Sequence, residues 1–155
     1  FMPGYLIHLA IVQNYINQKV VKDESSFIKG AILPDLLKRQ GIDSHFGSSK
    51  SPNFKMFFKQ YSNQTDFEKG YFIHLIADYL FYNNVVKSWS KDIYKDYNIL
   101  STYLINKYNF SIPKELWEVV KFDVGELKVL TVQDVDDFIY SVSSKPFSYY
   151  YKLFG

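Results

Sequence analysis

Residues 70–84 of the chain are GYFIHLIADYLFYNN, and within this apolar and aromatic run His74 and Asp78 lie four residues apart. Side chains four residues apart overlie one another on one face of an α-helix. Residues 65–68 (TDFE) match a capping box, which predicts a helix start immediately before this stretch. We therefore predict a central helix over residues 66 to about 82, with an imidazole and a carboxylate on its inward face.

The inward face of this predicted helix has mixed chemistry. Its members at helical spacing are Phe67, Tyr71, His74, Asp78 and Phe81. Gly70 is a poor helix former, which costs about 1 kcal/mol relative to alanine. Its presence predicts close packing of this helix against another backbone.

Helical periodicity also dominates the rest of the N-terminal half, and strand-like alternation is scarce. Residues 5–16 predict a first helix with His8 on its inward face. A second helix is expected over residues 24 to about 33, with Pro34 either interrupting it or starting a new turn. Residues 41–52 are rich in Gly, Ser and Pro and predict a loop of a length that is usually functional or disordered.

Three further helices are predicted in the C-terminal half. The first covers residues 86–107 and includes Trp89 in its core face; Pro113 opens the second, which includes Trp117. Thr131 caps the third, whose core face would be Val135, Phe138, Ile139 and Val142. The aromatic tail should pack back on the body. The chain therefore predicts an all-α fold, a compact multi-helix domain over residues 2–155.

Composition narrows the class of protein. The chain has 155 residues, 47% of them hydrophobic and 19% aromatic, which suits one globular domain with a real core. A net charge of +2 without a basic stripe argues against nucleic-acid binding by bulk electrostatics. The absence of cysteine leaves His and carboxylates as ligands for any transition metal. No transmembrane run or export signal is evident, so we expect a cytoplasmic protein.

The three histidines occur in contexts that suit a metal site. His8 is on an inward helix face, His45 lies in the long loop after Asp35, and His74 stands one turn before Asp78. Imidazole nitrogen and carboxylate oxygen are ligands of divalent metals such as zinc. A bound cation would compensate the burial of these polar groups.

Each residue also has a simpler interpretation when it is taken singly. His74 and Asp78 could form a hydrogen-bonded core pair, and His8 could be a core histidine with a satisfied ring. His45 could be a surface residue of the loop, and Asp35 an ordinary carboxylate near a helix start. Taken together, however, every histidine of the chain falls into the metal-site pattern.

The ordered set resembles a known family. His8, then GAILPD with Asp35, SHFG with His45, and HLIAD with His74 and Asp78 resemble the bacterial zinc-dependent phospholipase C family, which shares its helical fold with S1/P1-type nucleases. The resemblance covers roughly the first 85 residues. It implies a metal site in which Asp35, His45, His74 and Asp78 hold one zinc ion. His8 together with Asp78 would begin a second zinc site.

The chain also departs from that family. Family members have a further His after the HxxxD motif and a His and Glu pair for a third ion, whereas here Asn83 and Asn84 follow and His74 is the last histidine. The family's second ion also uses an amino terminus that is freed when an exported precursor is processed. Because this sequence shows no export signal, we expect one well-held ion. Substitute carboxylates could come from Glu115, Glu118 or Asp123, and spacing selects none of them.

The resemblance implies hydrolysis of a phosphodiester or phosphomonoester by metal-activated water. Asp35 is the candidate for orienting or deprotonating that water, and Zn²⁺, or Mn²⁺ in its place, would be the cofactor. The expected partner is a phosphate-ester small molecule or a lipid headgroup. One alternative is a metal-stabilised structural or binding protein without catalysis. Another is the broader class of helical phosphohydrolases built around a His-Asp dipeptide, although no His precedes an Asp directly here.

Overall fold

The computed structural model describes residues 4–86 and 88–155. Over these residues the chain is all-α, apart from one hairpin whose two strands have two residues each. The predicted all-α fold class is therefore confirmed. Residues 2 and 3 of the predicted domain, and position 87 of a predicted helix, lie outside the described residues. The elements in chain order are α1 (Tyr5–Asn17), α2 (Glu24–Arg39), β1 (Gly47–Ser48), β2 (Ser51–Pro52), α3 (Phe54–Gln60), α4 (Asp66–Leu80), a π-helical turn (Phe81–Val85), α5 (Asp92–Tyr108), a 3-10 turn (Lys114–Leu116), α6 (Val132–Ser143) and α7 (Phe147–Phe154).

Helix α4 is the central helix, as its sequence predicts. Every residue from 70 to 78 is buried, so the helix has core neighbours on all sides. At its start the Thr65 hydroxyl oxygen accepts from the backbone N–H of Glu68 at 3.3 Å. The Glu68 carboxylate accepts in turn from the backbone N–H of Gln64 at 2.8 Å. Side chains therefore satisfy early backbone donors, which holds the first turn in place.

Two glycines let α2 and α4 cross with their backbones almost in contact. A Cβ at Gly30 would lie 1.9 Å from the carbonyl oxygen of Phe67, and a Cβ at Gly70 would lie 2.1 Å from that of Phe27. Any larger residue would meet backbone atoms there, which cannot rotate away. The predicted close packing of Gly70 is confirmed, and this crossing brings the two site-bearing helices together.

Pro34 neither ends α2 nor starts a new helix. The helix runs without a break from Glu24 to Arg39, so the predicted interruption is wrong. Proline removes the N–H that would bond the carbonyl four residues earlier, which is that of Gly30. Packing of α2 along α4 holds the helix together despite this loss, and it carries Asp35 one residue beyond the proline into the core.

The loop between α2 and α3 contains a small antiparallel hairpin. Gly47 pairs with Pro52, and Ser48 pairs with Ser51. Asn53 then caps α3 by accepting from the backbone N–H of Met56 at 3.1 Å. The loop is therefore an ordered connection, and it holds His45 just before the hairpin begins.

In the C-terminal half the predicted start of one helix is wrong, and a second predicted helix does not form. The helix expected from residue 86 begins only at Asp92, and Trp89 is 57% exposed instead of buried. Pro113 opens a single 3-10 turn, and Trp117 is 65% exposed. In both places the helical spacing of apolar residues gave a wrong prediction. Residues in a turn can have the same spacing without forming a face that packs against the core.

The last two helices follow the prediction. The Thr131 hydroxyl oxygen caps α6 by accepting from the backbone N–H of Asp134 at 3.0 Å. The four predicted core residues of α6 are all buried. The tail forms α7 and packs back on the body, where Tyr151 stacks on Phe72 of α4 with ring centroids 5.0 Å apart. No helix in the described part of the chain has both the length and the apolar character needed to cross a bilayer.

Candidate metal centre

The predicted site residues meet in the core between α1, α2, α4 and the loop. Helix α2 supplies Asp35, helix α4 supplies His74 and Asp78, and the loop supplies His45. These four side chains are 5%, 1%, 0% and 3% exposed in that order. One ligand atom from each lies within 4.8 Å of all the others, so the group could hold a metal ion.

The two imidazole nitrogens lie close to each other and to one oxygen of each carboxylate. The Nε2 atom of His45 lies 3.3 Å from Asp35 Oδ1 and 3.0 Å from Asp78 Oδ2. The Nε2 atom of His74 lies 3.3 Å and 3.2 Å from the same two oxygens, and 3.3 Å from Nε2 of His45. Four tetrahedral ligands about 2.0 Å from a zinc ion are separated by about 3.3 Å. These five separations are close to that value, and the whole set of ligand atoms lies within 4.8 Å of one another.

The other ring nitrogen of His74 determines which tautomer the ring adopts. Nδ1 lies 2.6 Å from the carbonyl oxygen of Ala31 on α2, and a carbonyl can only accept. Nδ1 must therefore carry a proton and donate it. In the neutral ring this leaves the lone pair on Nε2, directed at the group. A histidine whose second nitrogen donates to a carbonyl is the usual arrangement of a metal ligand.

In the described part of the chain, two carboxylate oxygens at the centre of the group have no well-directed hydrogen-bond partner. Within residues 4–86 and 88–155, neither Asp35 Oδ1 nor Asp78 Oδ2 has a hydrogen-bond partner of acceptable direction, although both are buried. Buried carboxylate oxygens without donors are costly unless a charge compensates them. Two acceptor oxygens and two imidazole nitrogens thus converge on one point. A cation there would satisfy all four, which is the fit expected of a metal site.

The carboxylates and histidines shift one another's pKa values strongly. Burial alone would lower the pKa of His74, but the nearby charges of Asp78 and Asp35 raise it to about 10. Burial would raise the pKa of Asp35, but His74 and His45 lower it to about 2. The pKa of Asp78 is held well below its usual range against burial, mainly by His74 and His8. In the metal-free protein a proton on His74 therefore supplies the positive charge.

We expect zinc binding at pH 7 to release at least one proton per ion. His74, with a pKa of about 10, is protonated at this pH, and zinc needs its neutral nitrogen. Affinity should therefore fall as the pH is lowered, because protons compete for the imidazole. Titration calorimetry in buffers of different ionisation enthalpy measures the released protons. An observed heat that does not depend on the buffer would contradict this protonation state.

His8 contacts the group from α1 but is not one of its four members. Its Nε2 donates to Asp78 Oδ1 at 3.0 Å, and its ring stacks on His74 with centroids 3.7 Å apart. Burial, followed by the charge of His74, lowers the pKa of His8, so its ring is neutral. His8 thus orients Asp78 through Oδ1, while His45 and His74 contact Oδ2. Its role as a ligand of a second ion stays a prediction.

The three later carboxylates do not reach the group. Glu115, Glu118 and Asp123 are exposed, and none belongs to the metal-binding set found among the described residues. Asp123 instead accepts a hydrogen bond from the side-chain amide of Asn98 at 3.2 Å. The ligand set therefore comes entirely from the first half of the chain.

Sequence reasoning missed the residues that hold the ligands in place. The hydroxyl of Ser44 lies 3.0 Å from Nδ1 of His45, and the hydroxyl of Tyr71 donates to the Ser44 carbonyl at 2.5 Å. The carbonyl of Ala31, which orients His74, is a main-chain atom that no side-chain pattern reports. Only the adjacency of Ser44 and His45 in the sequence could have suggested a contact.

Two cavities border the group from different sides. A cavity of about 460 Å³ between α1, the end of α2 and α5 has Asp35 in its wall, together with Lys38, Arg39 and Lys121. A second cavity of about 540 Å³ under the loop has His45 in its wall, with Lys38 and Lys50. The carboxylate of Asp43 also lines the second cavity, so the first cavity is the more positively charged of the two.

The fold and site together define an all-helical protein with a buried histidine and aspartate group that could hold a metal ion. Comparisons with protein-family models, with curated proteins and with solved structures find no match for this chain.

Proposed function

We propose that the protein is a metal-dependent phosphoric ester hydrolase, with zinc or manganese as its cofactor. The observation that carries this proposal is the place of Asp35, which belongs to the four-residue group and also lines the cavity of about 460 Å³. A carboxylate in that position borders both the metal site and the space for a substrate. This is what hydrolysis of a bound ester by activated water requires.

The walls of this cavity suit a phosphate ester. Lys38 and Arg39 lie in the last turn of α2, and Lys121 lies in the segment after the 3-10 turn, so three cations face one cavity. Asp35 is the acidic side chain in the same wall, and the metal site would neutralise it. The cations would bind the phosphate oxygens through charge-assisted hydrogen bonds.

Asp35 has the role of orienting the attacking water in this proposal. Its pKa of about 2 keeps it ionised at neutral pH, so it can accept a hydrogen bond from water. A divalent ion, when bound, supplies Lewis-acid polarisation of the phosphoryl group and activation of water. The lysines and arginine of the cavity hold the ester.

Turnover of bis(p-nitrophenyl) phosphate and p-nitrophenyl phosphate tests this function. We expect hydrolysis by protein loaded with zinc or manganese and none after chelation. The variant Asp35→Asn should lose about 100-fold or more in kcat, as is typical for a residue that handles the water. Lys121→Ala should mainly raise KM. Lys145→Ala, at a different cavity, is the matched control, and loaded protein without turnover of either ester would refute the proposal.

The second candidate is a metal-stabilised structural protein, which the deep burial of the four ligands favours. Four buried protein ligands on one ion would complete a closed zinc shell, as in structural zinc sites. The two functions differ in whether a ligand from solution can bind to the metal ion. Cobalt-loaded protein should change its visible spectrum when phosphate is added if the site is open, and should keep it unchanged if the site is closed.

A further inference from the structure

We propose that Ser44 is a positioning residue that sets the tautomer of His45 and thereby the affinity of the group for metal. Ser44 is buried, and its hydroxyl contacts two atoms. The hydroxyl oxygen lies 2.5 Å from the carbonyl oxygen of Pro34 and 3.0 Å from Nδ1 of His45. Its role rests on the metal binding proposed above.

The direction of these two hydrogen bonds follows from their chemistry. The Pro34 carbonyl can only accept, so the single hydroxyl proton of Ser44 must point to it. The Ser44 oxygen is then left as an acceptor, and Nδ1 of His45 must donate to it. The ring proton is therefore held on Nδ1, which leaves the lone pair of Nε2 facing Asp35 and Asp78. Without Ser44, the ring proton of His45 can move to Nε2, where it would block the lone pair that binds a metal ion.

Ser44 also links the loop to both helices that carry the other ligands. Its side chain bonds α2 through Pro34, and its carbonyl accepts from the hydroxyl of Tyr71 on α4 at 2.5 Å. His45 is the only member of the group outside those helices, so it depends most on such a connection. His74 has its own fixed partner in the Ala31 carbonyl and does not need Ser44.

The variant Ser44→Ala removes the hydroxyl with almost no change in volume. We expect it to weaken zinc binding by about 10- to 100-fold, the usual effect of losing a hydrogen-bond partner of a metal-ligating histidine. Ser49→Ala is the matched control, since Ser49 is also a buried serine of this loop but its hydroxyl has no hydrogen-bond partner among the described residues. Zinc affinity is measured by competition with a chromophoric chelator.

A second readout separates positioning from general loosening of the loop. Long-range ¹H–¹⁵N correlation of the metal-free protein, at a pH where the ring is neutral, reports which nitrogen of His45 carries the proton. We expect Nδ1 in the wild type and in Ser49→Ala, and a redistribution toward Nε2 in Ser44→Ala.

Three results would overturn the proposal. They are wild-type zinc affinity in Ser44→Ala, an equal loss of affinity in Ser49→Ala, and an unchanged tautomer in Ser44→Ala. If the wild type binds neither zinc nor manganese, the proposed function fails. The tautomer measurement alone then decides whether Ser44 positions His45.

Discussion

Asp78→Ala is expected to abolish stabilisation by zinc and also to lower the melting temperature of the metal-free protein. Asp78 is fully buried and contacts His8, His45 and His74 within 3.2 Å. Removing one partner of a buried charge pair costs about 3–5 kcal/mol. For a chain of this size, that corresponds to a fall of about 10 °C. Zinc at 100 times its Kd should raise the wild-type stability by about 2.7 kcal/mol and leave the variant unchanged.

Differential scanning calorimetry with and without zinc measures both effects. Asp78→Asn is the matched control, because it keeps the size of the side chain and an oxygen that can accept from His8. It should lose zinc binding while retaining more of the metal-free stability than the alanine variant. His74→Ala should also abolish the zinc effect. If zinc still raised the melting temperature of Asp78→Ala, the proposed metal centre would be rejected.

Gly30→Ala should destabilise the fold strongly. Its Cβ would stand 1.9 Å from a carbonyl oxygen of α4, and both groups belong to helix backbones. The helices must then move apart, which we expect to cost about 3 kcal/mol or more, at the upper end of overpacking effects. Gly70→Ala should behave in the same way. Because α2 and α4 carry three of the four ligands, both variants should weaken zinc binding as well.

Urea unfolding compares these variants with Gly41→Ala. Gly41 has a positive φ of 80° but nothing near its Cβ position, so that variant carries only backbone strain of about 1 kcal/mol. The expected order of destabilisation is Gly30 and Gly70 well above Gly41. Equal losses of unfolding free energy at all three positions would show that the crossing of α2 and α4 is not especially sensitive to an added methyl group.

Local signals explain why α4 and α6 could be predicted so closely. Each has a threonine cap and an apolar face at helical spacing, and both features act between residues a few positions apart. The same rules failed at Trp89 and Trp117, where the spacing is present but the chain turns. They also failed at Pro34, because packing against α4 keeps α2 helical where local preference alone would end it.

In the candidate site, too, some features could be predicted from local sequence and others could not. The pair His74 and Asp78 could be placed on one helix face from spacing alone. The sequence contexts of His8, Asp35 and His45, and then the resemblance, suggested that these three residues belong to the same site. The close approach of both imidazole nitrogens to both carboxylates could not be predicted. Neither could the hydrogen bonds of Ser44, Tyr71 and the Ala31 carbonyl, because they join segments distant in the chain.

The sequence by itself determined the helical class, the central helix and the residue types able to hold a metal. These depend on periodicity, capping and side-chain chemistry, which are local properties. Only the tertiary structure decided that Gly30 and Gly70 let two helices meet backbone to backbone, and that the loop brings His45 to them. Such contacts depend on which surfaces pack together, and that choice is made by the whole chain at once.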